Sequence, residues 1–388
     1  MLLPTRSYEE ALSLARKSIA LVDRGQTRSA TARSIRSERG QCVTTPSTRS
    51  GAGSDTLMYV FNFENNDGFS VIAANRAVDP VLAVAEKGNY TYGEPTGVEN
   101  FDFYMDAMAQ SLAVIKPPKF DTIRTTPKFK TVEVNESRSC DPLIPVRWGQ
   151  ESPYGDYCSN GYSGCVATAI AQIMAYYRFP ASITTTYTDA PHAGETIALN
   201  WTSMISYPYV YQVPALMREI GQRVGMRYYP EYENDKRTGS GAASSNVPSC
   251  MISFGYSCAS GLASYEIASI RTNLDETHPV YVRANDISEG GHAWIADGYI
   301  YSRIGTEYYE EILIDNGLTL YYDYILTNST VQTTNLVHYN WGWDGSCDGY
   351  FAPGNGVASG NGYIFDGLQM ITSIRLPRID SNLNHDFL

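Results

Sequence analysis

The chain has 388 residues, which favours two domains, and its 43% hydrophobic and 18% charged content can build a large core. The formal net charge of −12 argues against nucleic-acid binding driven by long-range attraction. No run of about 18 apolar residues occurs, so the sequence predicts no membrane span.

Charge divides the chain into two unlike parts. Residues 1–140 carry 17 basic and 16 acidic residues, whereas the remainder carries 12 basic and 25 acidic residues. This asymmetry predicts two different domains. The first ten residues lack the apolar core of a signal peptide, so the protein is either cytosolic or exported by a signal outside this sequence.

The first part of the chain begins with an amphipathic helix predicted over 7–23. Residues 25–54 are rich in Arg, Ser, Thr and Gly and are typical of a linker. Two apolar stretches, 57–63 and 69–74, flank a polar turn and predict a hairpin, and a third strand is expected around 81–86.

A second amphipathic helix is predicted over 98–115, where two prolines follow. Residues 1–116 therefore make a small α+β module. Residues 117–140 are polar and carry five basic side chains, which predicts a connector and an exposed place for a protease to cut.

The second module holds two predicted helices, 164–178 and 213–225, and then mostly apolar strands. Helices first and antiparallel strands later indicate an α+β fold.

Cys165 stands between a glycine and an apolar run that predicts a buried helix. It could be a core residue, half of a disulfide, a metal ligand or a nucleophile. The seven cysteines include no CxxC pair, which disfavours a structural metal site. A thiol at a helix N-terminus meets the positive end of the dipole, which lowers its pKa and favours the nucleophilic thiolate.

A cysteine nucleophile needs a base, and His292 has the best context among the five histidines. Two glycines before it let a backbone or substrate approach closely, and an apolar strand follows. His338 could be a core residue or a site residue. For any single histidine, a satisfied structural role is the commoner reading.

Two amides and a tryptophan add to this pair. Gln150 precedes Cys165 by 15 residues, and its amide could donate to a developing oxyanion together with the cysteine N–H. Asn340 could hold the His292 imidazole in one tautomer, and Trp341 could shield that bond from water. The order Gln, Cys, His, Asn is that of papain-like cysteine proteases.

Three blocks carry a resemblance to a known family: "GYSGCVATAIAQIMAYYRFP", "GGHAWIADGY" and "HYNWGWDGSCDGYF". They resemble the streptopain-like (C10) cysteine proteases of the papain clan, which streptococci and Bacteroidetes secrete. The stretch "YVFNFENNDGFSVIAANRAVDPVLAVAEKGNY" resembles the propeptide of that family, so the likeness covers nearly the whole chain. This chain departs from the family beyond the second tryptophan, where Asp344 and Gly345 replace the usual glycine pair and Cys347 is an extra thiol in the same loop, and Cys158 could pair elsewhere or stay free.

The resemblance implies a site without metal or cofactor. It assigns Cys165 as nucleophile, His292 as base, Gln150 as oxyanion donor, Asn340 as the residue that orients the base, and Trp341 as the wall beside it.

The resemblance also implies the domain plan. Residues 1–140, with the linker 117–140, would be an inhibitory prodomain, and 141–388 a papain-like catalytic domain in which a helix carries the cysteine and an antiparallel sheet the histidine. The Gly-rich stretch 353–363 would be a mobile loop beside the cleft. In the family the prodomain silences the zymogen by disturbing the catalytic histidine.

The expected function is therefore a cysteine endopeptidase, made as a zymogen and secreted or held at the cell surface or in the periplasm. Its partners would be protein or peptide substrates and its own prodomain, with no nucleic acid. Two rival functions stay open: a binding module without chemistry, and acyl transfer on the same fold. Fast alkylation of Cys165 would exclude the first, and product analysis with an amine acceptor would test the second.

Overall fold

The computed structural model describes residues 5–22, 35, 40–44, 56–115, 128–229, 232–233, 236–237, 239–286, 290–315, 320–353 and 368–377. The Gly-rich loop predicted over 353–363 lies outside this range except for its first residue, and so does most of the predicted 25–54 linker. Within the described range, none of the helices has both the length and the apolar character needed to cross a bilayer.

The N-terminal domain is a four-stranded antiparallel sheet with two helices. Its elements are α1 (Tyr8–Val22), β1 (Gln41–Thr44), β2 (Thr56–Asn62), β3 (Phe69–Ala73), β4 (Val81–Ala85) and α2 (Glu99–Val114). Ser7 and Glu10 form a capping box at the start of α1, since the Ser7 N–H donates to Glu10 Oε2 at 2.8 Å and the Glu10 N–H donates to Ser7 Oγ at 3.3 Å. Both predicted helices and the hairpin are confirmed.

The rest of the chain starts with a long strand and a set of helices. These elements are β5 (Phe129–Cys140), α3 (Cys165–Tyr177), β6 (Ser182–Thr184), β7 (Thr196–Ala198), α4 (Trp201–Ser206), α5 (Gln212–Val224), β8 (Arg227–Tyr228), β9 (Tyr232–Glu233), β10 (Lys236–Arg237), β11 (Ser240–Gly241) and α6 (Val247–Ser253). The helices predicted over 164–178 and 213–225 correspond to α3 and α5.

Strands dominate the C-terminal third. They are β12 (Ala263–Ser264), then α7 (Ile267–Asp275), β13 (Val280–Asp286), β14 (Gly290–Asp315), β15 (Leu320–Ser329), β16 (Gln332–Asn340), β17 (Gly349–Phe351) and β18 (Gln369–Ile371). The α+β class predicted from the sequence is confirmed.

One sheet of twelve strands runs through both domains. Its order is β1-β2-β3-β4-β17-β16-β14-β13-β18-β12, and β5 and β15 also pair with β14. The two domains join where β4 pairs antiparallel with β17, with Ala85 opposite Gly349 and Ala83 opposite Phe351. The N-terminal domain therefore extends the sheet of the catalytic domain.

The predicted connector 117–140 needs a correction in its second half. Phe129–Cys140 is a strand that pairs with β14 along its whole length, from Phe129 opposite Glu310 to Cys140 opposite Tyr299. Its side chains are mostly exposed, which explains the polar composition. Backbone hydrogen bonds tie this segment to the catalytic sheet. The domain boundary at 140 stays a prediction.

The side chains of β13 and β14 alternate between two hydrophobic cores, as the two-residue period of a strand requires. Trp294 and Ala296 face the core shared with the N-terminal domain, whereas Ala293 and Ile295 face the core built on α3 and α5. The sheet thus separates α2 of the N-terminal domain from α3, and both helices approach the first residues of β14.

Candidate active site

Cys165 is the first residue of α3, as predicted. Gly164 before it has φ 85°, and a Cβ there would come within 2.9 Å of the Ser240 carbonyl oxygen, so the close turn requires glycine. Residues Val166 to Ala175 are all buried, which fixes the helix in its core. The Thr168 N–H donates to the Gly164 carbonyl at 3.0 Å and closes the first turn.

The Cys165 thiol has its pKa raised, opposite to the direction that the helix dipole alone predicts. Burial is the main cause; the N–H of Ala293 beside the sulfur acts against it, and the carboxylate of Glu99 adds to it. The predicted lowering of the pKa is therefore wrong for the chain with its N-terminal domain in place. Burial in this state therefore disfavours the thiolate form of Cys165.

His292 stands at the start of β14, immediately before the residue whose N–H lies at the Cys165 sulfur. Its Nδ1 is 4.0 Å from Glu99 Oε2, and its ring centre is 6.2 Å from that of Phe103. Both contacts come from α2. The structure thus brings the segment carrying His292 to Cys165, with side chains of the N-terminal domain placed against the imidazole.

Asn100, next to Glu99, links the two catalytic segments. Its buried side-chain Nδ2 donates to the Trp341 carbonyl at 2.9 Å and to the Ala293 carbonyl at 3.3 Å. Glu99 and Asn100 were missed in the sequence, where they read as the first turn of an amphipathic helix. No local pattern indicates that this turn inserts between two distant segments.

Gln150 lies just before the turn that leads to Cys165. Its carbonyl accepts the Ser163 N–H at 2.9 Å, which ties it to the residue two places before the cysteine. Its side chain is buried, and Nε2 has no hydrogen-bond partner among the described residues. A buried amide donor without a partner is costly, and this one is available for an acceptor that the chain itself does not supply.

Asn340 has its amide engaged elsewhere. Its Oδ1 accepts from Gln172 Nε2 at 3.0 Å and from the Gly342 N–H at 3.1 Å, and its Nδ2 donates to the Val146 carbonyl at 3.1 Å. None of these bonds reaches His292. Its predicted orienting role stays a prediction for a rearranged state.

Gln172 is a positioning residue that sequence reasoning missed. It is fully buried on α3, and its Oε1 accepts the Trp148 N–H at 3.0 Å while its Nε2 donates to Asn340. The amide therefore joins the segment before Gln150 to the segment before Trp341. The available signal was a glutamine inside the otherwise apolar run of α3.

Trp341 is fully buried in an aromatic cluster. Its indole N–H donates to the Cys347 carbonyl at 3.0 Å, and its ring centre lies 5.6 Å from that of Tyr104 and 6.0 Å from that of Phe101, both on α2. Its predicted place beside the histidine stays a prediction. In this state the ring packs against the N-terminal domain.

Outside this site, the described part of the chain contains no disulfide and no cluster of side chains suited to a metal ion. All seven cysteines are free, and no cluster of three or more His, Cys, Asp or Glu side chains within the described ranges could hold a metal ion.

Comparison with known proteins divides the chain as its structure does. The sequence pattern of the peptidase C10 family matches residues 148–351, and that of the Spi protease inhibitor matches residues 5–112. The first match holds Cys165, His292, Gln150, Asn340 and Trp341. The second match ends inside α2.

Relatives and a solved structure match most of the chain. Streptopain of Streptococcus pyogenes is 24% identical over 367 residues, covering 81% of this chain and 80% of streptopain. The thiol protease/hemagglutinin PrtT of Porphyromonas gingivalis is 25% identical over 354 residues, covering 79% of this chain and 36% of PrtT. A fragment of prointerpain A from Prevotella intermedia superposes with a TM-score of 0.53 at 20% identity, covering 88% of this chain and all of the fragment.

Proposed function

Since the chain belongs to the peptidase C10 family and is a cysteine-type peptidase, we propose that it is an endopeptidase zymogen in which Cys165 and His292 carry out peptide hydrolysis. The observation that supports the assignment most is that the N–H of Ala293, next to His292 at the start of β14, lies at the Cys165 sulfur at the start of α3. The buried and unpartnered amide of Gln150 is consistent with an oxyanion donor. The active form arises when the N-terminal domain leaves.

The reaction needs no cofactor. The Cys165 thiolate attacks the scissile carbonyl carbon, and the oxyanion accepts hydrogen bonds from the Cys165 N–H and from Gln150 Nε2. The intermediate collapses and the amine leaves with a proton from the His292 imidazolium. His292 then takes a proton from water, the hydroxide attacks the thioester, and the acid product and thiolate are released.

The N-terminal domain acts as an intramolecular inhibitor. The carboxylate of Glu99 lies near both reacting side chains: it helps to raise the pKa of Cys165 and faces the imidazole of His292. A thiol is a far weaker nucleophile than a thiolate, and the Glu99 carboxylate 4.0 Å from His292 Nδ1 offers the imidazolium a partner other than the sulfur. The match to the Spi protease inhibitor over 5–112 supports this role.

Covalent labelling tests the assignment. The chain is processed by limited proteolysis and treated with a peptidyl epoxide, and the modified residue is mapped by mass spectrometry. We expect the label on Cys165 and loss of both label and peptidase activity in Cys165→Ala. Cys258→Ala, which removes another partly buried thiol of the same domain, is the matched control and retains both. Peptidase activity that survives in Cys165→Ala contradicts the proposal.

The role of Gln150 has its own test. Removing one oxyanion donor costs roughly 10²–10³ in kcat, so processed Gln150→Ala should still be labelled at Cys165 but turn over slowly. Gln150→Glu replaces the donor by an acceptor and should be at least as slow. An unchanged kcat in Gln150→Ala would make the side chain structural.

Location is part of the proposal. A peptidase that carries its own inhibitor is silent where it is synthesised, which suits a protein that acts outside the cell or at its surface. Fractionation of the producing cells should find the processed form in the medium, the surface fraction or the periplasm, and recovery in the cytosol alone would count against export.

A further inference from the structure

A buried charge cluster lies where the two domains share a sheet. Glu86 follows β4, and its N–H donates to the Asp348 carbonyl at 2.7 Å, which extends the β4–β17 ladder by one bond. This bond places the residue that follows β4 in contact with the catalytic domain. The Glu86 side chain is 7% exposed and ends between two basic groups of the other domain.

Both basic groups come from the catalytic domain. His338 Nε2 is 3.6 Å from Glu86 Oε1, and the Arg147 guanidinium pairs with the other carboxylate oxygen. The imidazole is 5% exposed, and its other nitrogen, Nδ1, is 2.6 Å from Asp297 Oδ1. His338 Nε2 forms no hydrogen bond at normal length, so the Glu86 carboxylate is the charge that this end of the ring faces.

The cluster is complementary only when both domains are present. Burying a carboxylate without partners is costly, and both basic groups that pair with Glu86 here lie across the interface. Without Glu86, Arg147 loses its carboxylate, whereas His338 keeps Asp297. Asp348 remains hydrogen-bonded to the Trp341 N–H at 2.8 Å. The catalytic domain therefore retains a recess in which the Arg147 guanidinium and His338 Nε2 face the place of one carboxylate.

The edge of β17, next to this recess, is shaped to accept β4. A Cβ at Gly349 of β17 would clash with the Val84 carbonyl and the Ala85 Cα of β4, so glycine is needed for this approach. When β4 leaves, β17 becomes an open edge. A strand edge with a charged recess at its end accepts an extended segment that carries a glutamate in register.

We propose that His338 and Arg147 form a carboxylate-binding site of the catalytic domain, and that the β4 segment with Glu86 holds and rebinds the N-terminal domain through it after the connecting chain is cut. The proposal rests on the inhibitory role of that domain. In this proposal, the residues that bind the N-terminal domain differ from Glu99 and Asn100, which contact the segments of the reacting groups. A second copy of the chain offers the same segment, so product inhibition between molecules follows.

The test uses the full chain with Cys165→Ala, so that no peptidase activity enters the measurement. A recognition sequence for a site-specific protease is placed between residues 119 and 124, the chain is cut, and the dissociation constant of the released N-terminal domain is measured by size exclusion and by titration. Glu86→Gln keeps the shape and removes the charge. We expect the affinity to fall at least about tenfold, since losing one member of a buried charge pair commonly has a larger effect than this.

Three comparisons decide the outcome. Glu94→Gln removes an exposed carboxylate of the same domain and should leave the affinity unchanged. Arg147→Gln acts from the other side of the interface, and its effect should not add to that of Glu86→Gln if the two residues pair. Equal affinities for the parent and Glu86→Gln, or fully additive effects, overturn the proposal. Because the readout is binding alone, either result leaves the peptidase assignment to its own test.

Discussion

The N-terminal domain touches the catalytic domain through two contacts of different character. In the helix contact, Glu99, Asn100 and Phe103 of α2 reach the segments of Cys165 and His292, and the carboxylate of Glu99 is mostly exposed. In the strand contact, β4 pairs with β17 and the carboxylate of Glu86 is buried in the opposite domain.

The difference separates inhibition from affinity. An exposed charge 4.0 Å from its partner contributes little binding free energy, but it changes the ionisation of the groups that react. The buried Glu86 carboxylate, paired with the buried His338 and the half-exposed Arg147, helps to hold the domain together with the strand ladder and does not touch the reacting atoms. We therefore expect changes in the two contacts to move different observables.

Replacing Tyr104 should give the largest effect, because its side chain packs in the aromatic cluster between the two domains. It is fully buried, its hydroxyl donates to the Ala352 carbonyl at 2.6 Å, and its ring meets those of Trp294, Tyr339 and Trp341 within 6.1 Å. Tyr104→Ala should lower the free energy of unfolding of the Cys165→Ala chain by about 3–5 kcal/mol, measured by denaturant titration.

Tyr104→Phe is the matched control for the packing. It keeps the ring and removes the hydroxyl with its bond to the Ala352 carbonyl, so it should cost about 1 kcal/mol. If Tyr104→Ala costs no more than Tyr104→Phe, the aromatic cluster is not what joins the domains.

The strand contact should depend on pH, and the sign follows from its two titrating groups. Burial alone would raise the pKa of Glu86, but the close contact and charge of His338 and the charge of Arg147 lower it to about 2 from 4.5. Burial alone would lower the pKa of His338, but Asp297 and Glu86 raise it to about 10 from 6.5.

The contribution of Glu86 is present above pH 4.5 and is lost as pH falls towards 2, and that of His338 is present below pH 6.5 and is lost as pH rises towards 10. Loss of the Glu86 charge should therefore weaken the interdomain affinity as pH falls from 4.5 towards 2. On the alkaline side, Asp297 keeps the pKa of His338 raised in the separated catalytic domain as well, so the affinity should fall only as pH rises towards 10. The groups that also face this pair are Arg147, Asp297, Asp348 and the ring of Tyr350. Burial raises the pKa of Asp348 to about 7, so it can shift the pH at which the affinity falls on the alkaline side.

Measuring the affinity of the cut Cys165→Ala chain from pH 4 to 9 checks this profile, with Glu86→Gln alongside. The difference between the two chains should shrink at both ends. A constant difference at every pH would mean that the charge of Glu86 is not what the catalytic domain recognises.

The sequence predicted the elements that depend on residues close to one another in the chain. The apolar periodicity of α1, α2 and α3 and the hairpin of β2 and β3 were visible because each depends on neighbouring residues. The position of Cys165 at a helix start followed from Gly164 and the apolar run behind it.

What the sequence did not predict depends on distant partners. The β4–β17 pairing joins strands more than 260 residues apart, and nothing in either strand names the other. β5 reads as a connector because its side chains are polar, yet its backbone pairs with β14. The raised pKa of Cys165 comes mainly from burial, and Glu99 of the other domain adds to it, which a helix N-terminus seen alone cannot reveal.

Glu99 should give the smallest effect, confined to the reactivity of Cys165. Its carboxylate contributes to the raised pKa of the thiol after burial and against the Ala293 N–H, so Glu99→Gln should lower that pKa and increase the thiolate fraction. The expected gain in alkylation rate of the uncut chain is a few-fold, since an exposed charge is worth about 0.2–1 kcal/mol. Glu94→Gln is the control for charge alone.

Glu99 and Glu86 should change different observables. Because Glu99 belongs to the helix contact, its removal should leave the affinity of the cut chain within about twofold of the parent. Glu86→Gln should change that affinity and leave the alkylation rate at Cys165 of the uncut chain nearly unchanged. If both variants move both observables together, inhibition and affinity are one property of a single interface, and the separation drawn from the two contacts is wrong.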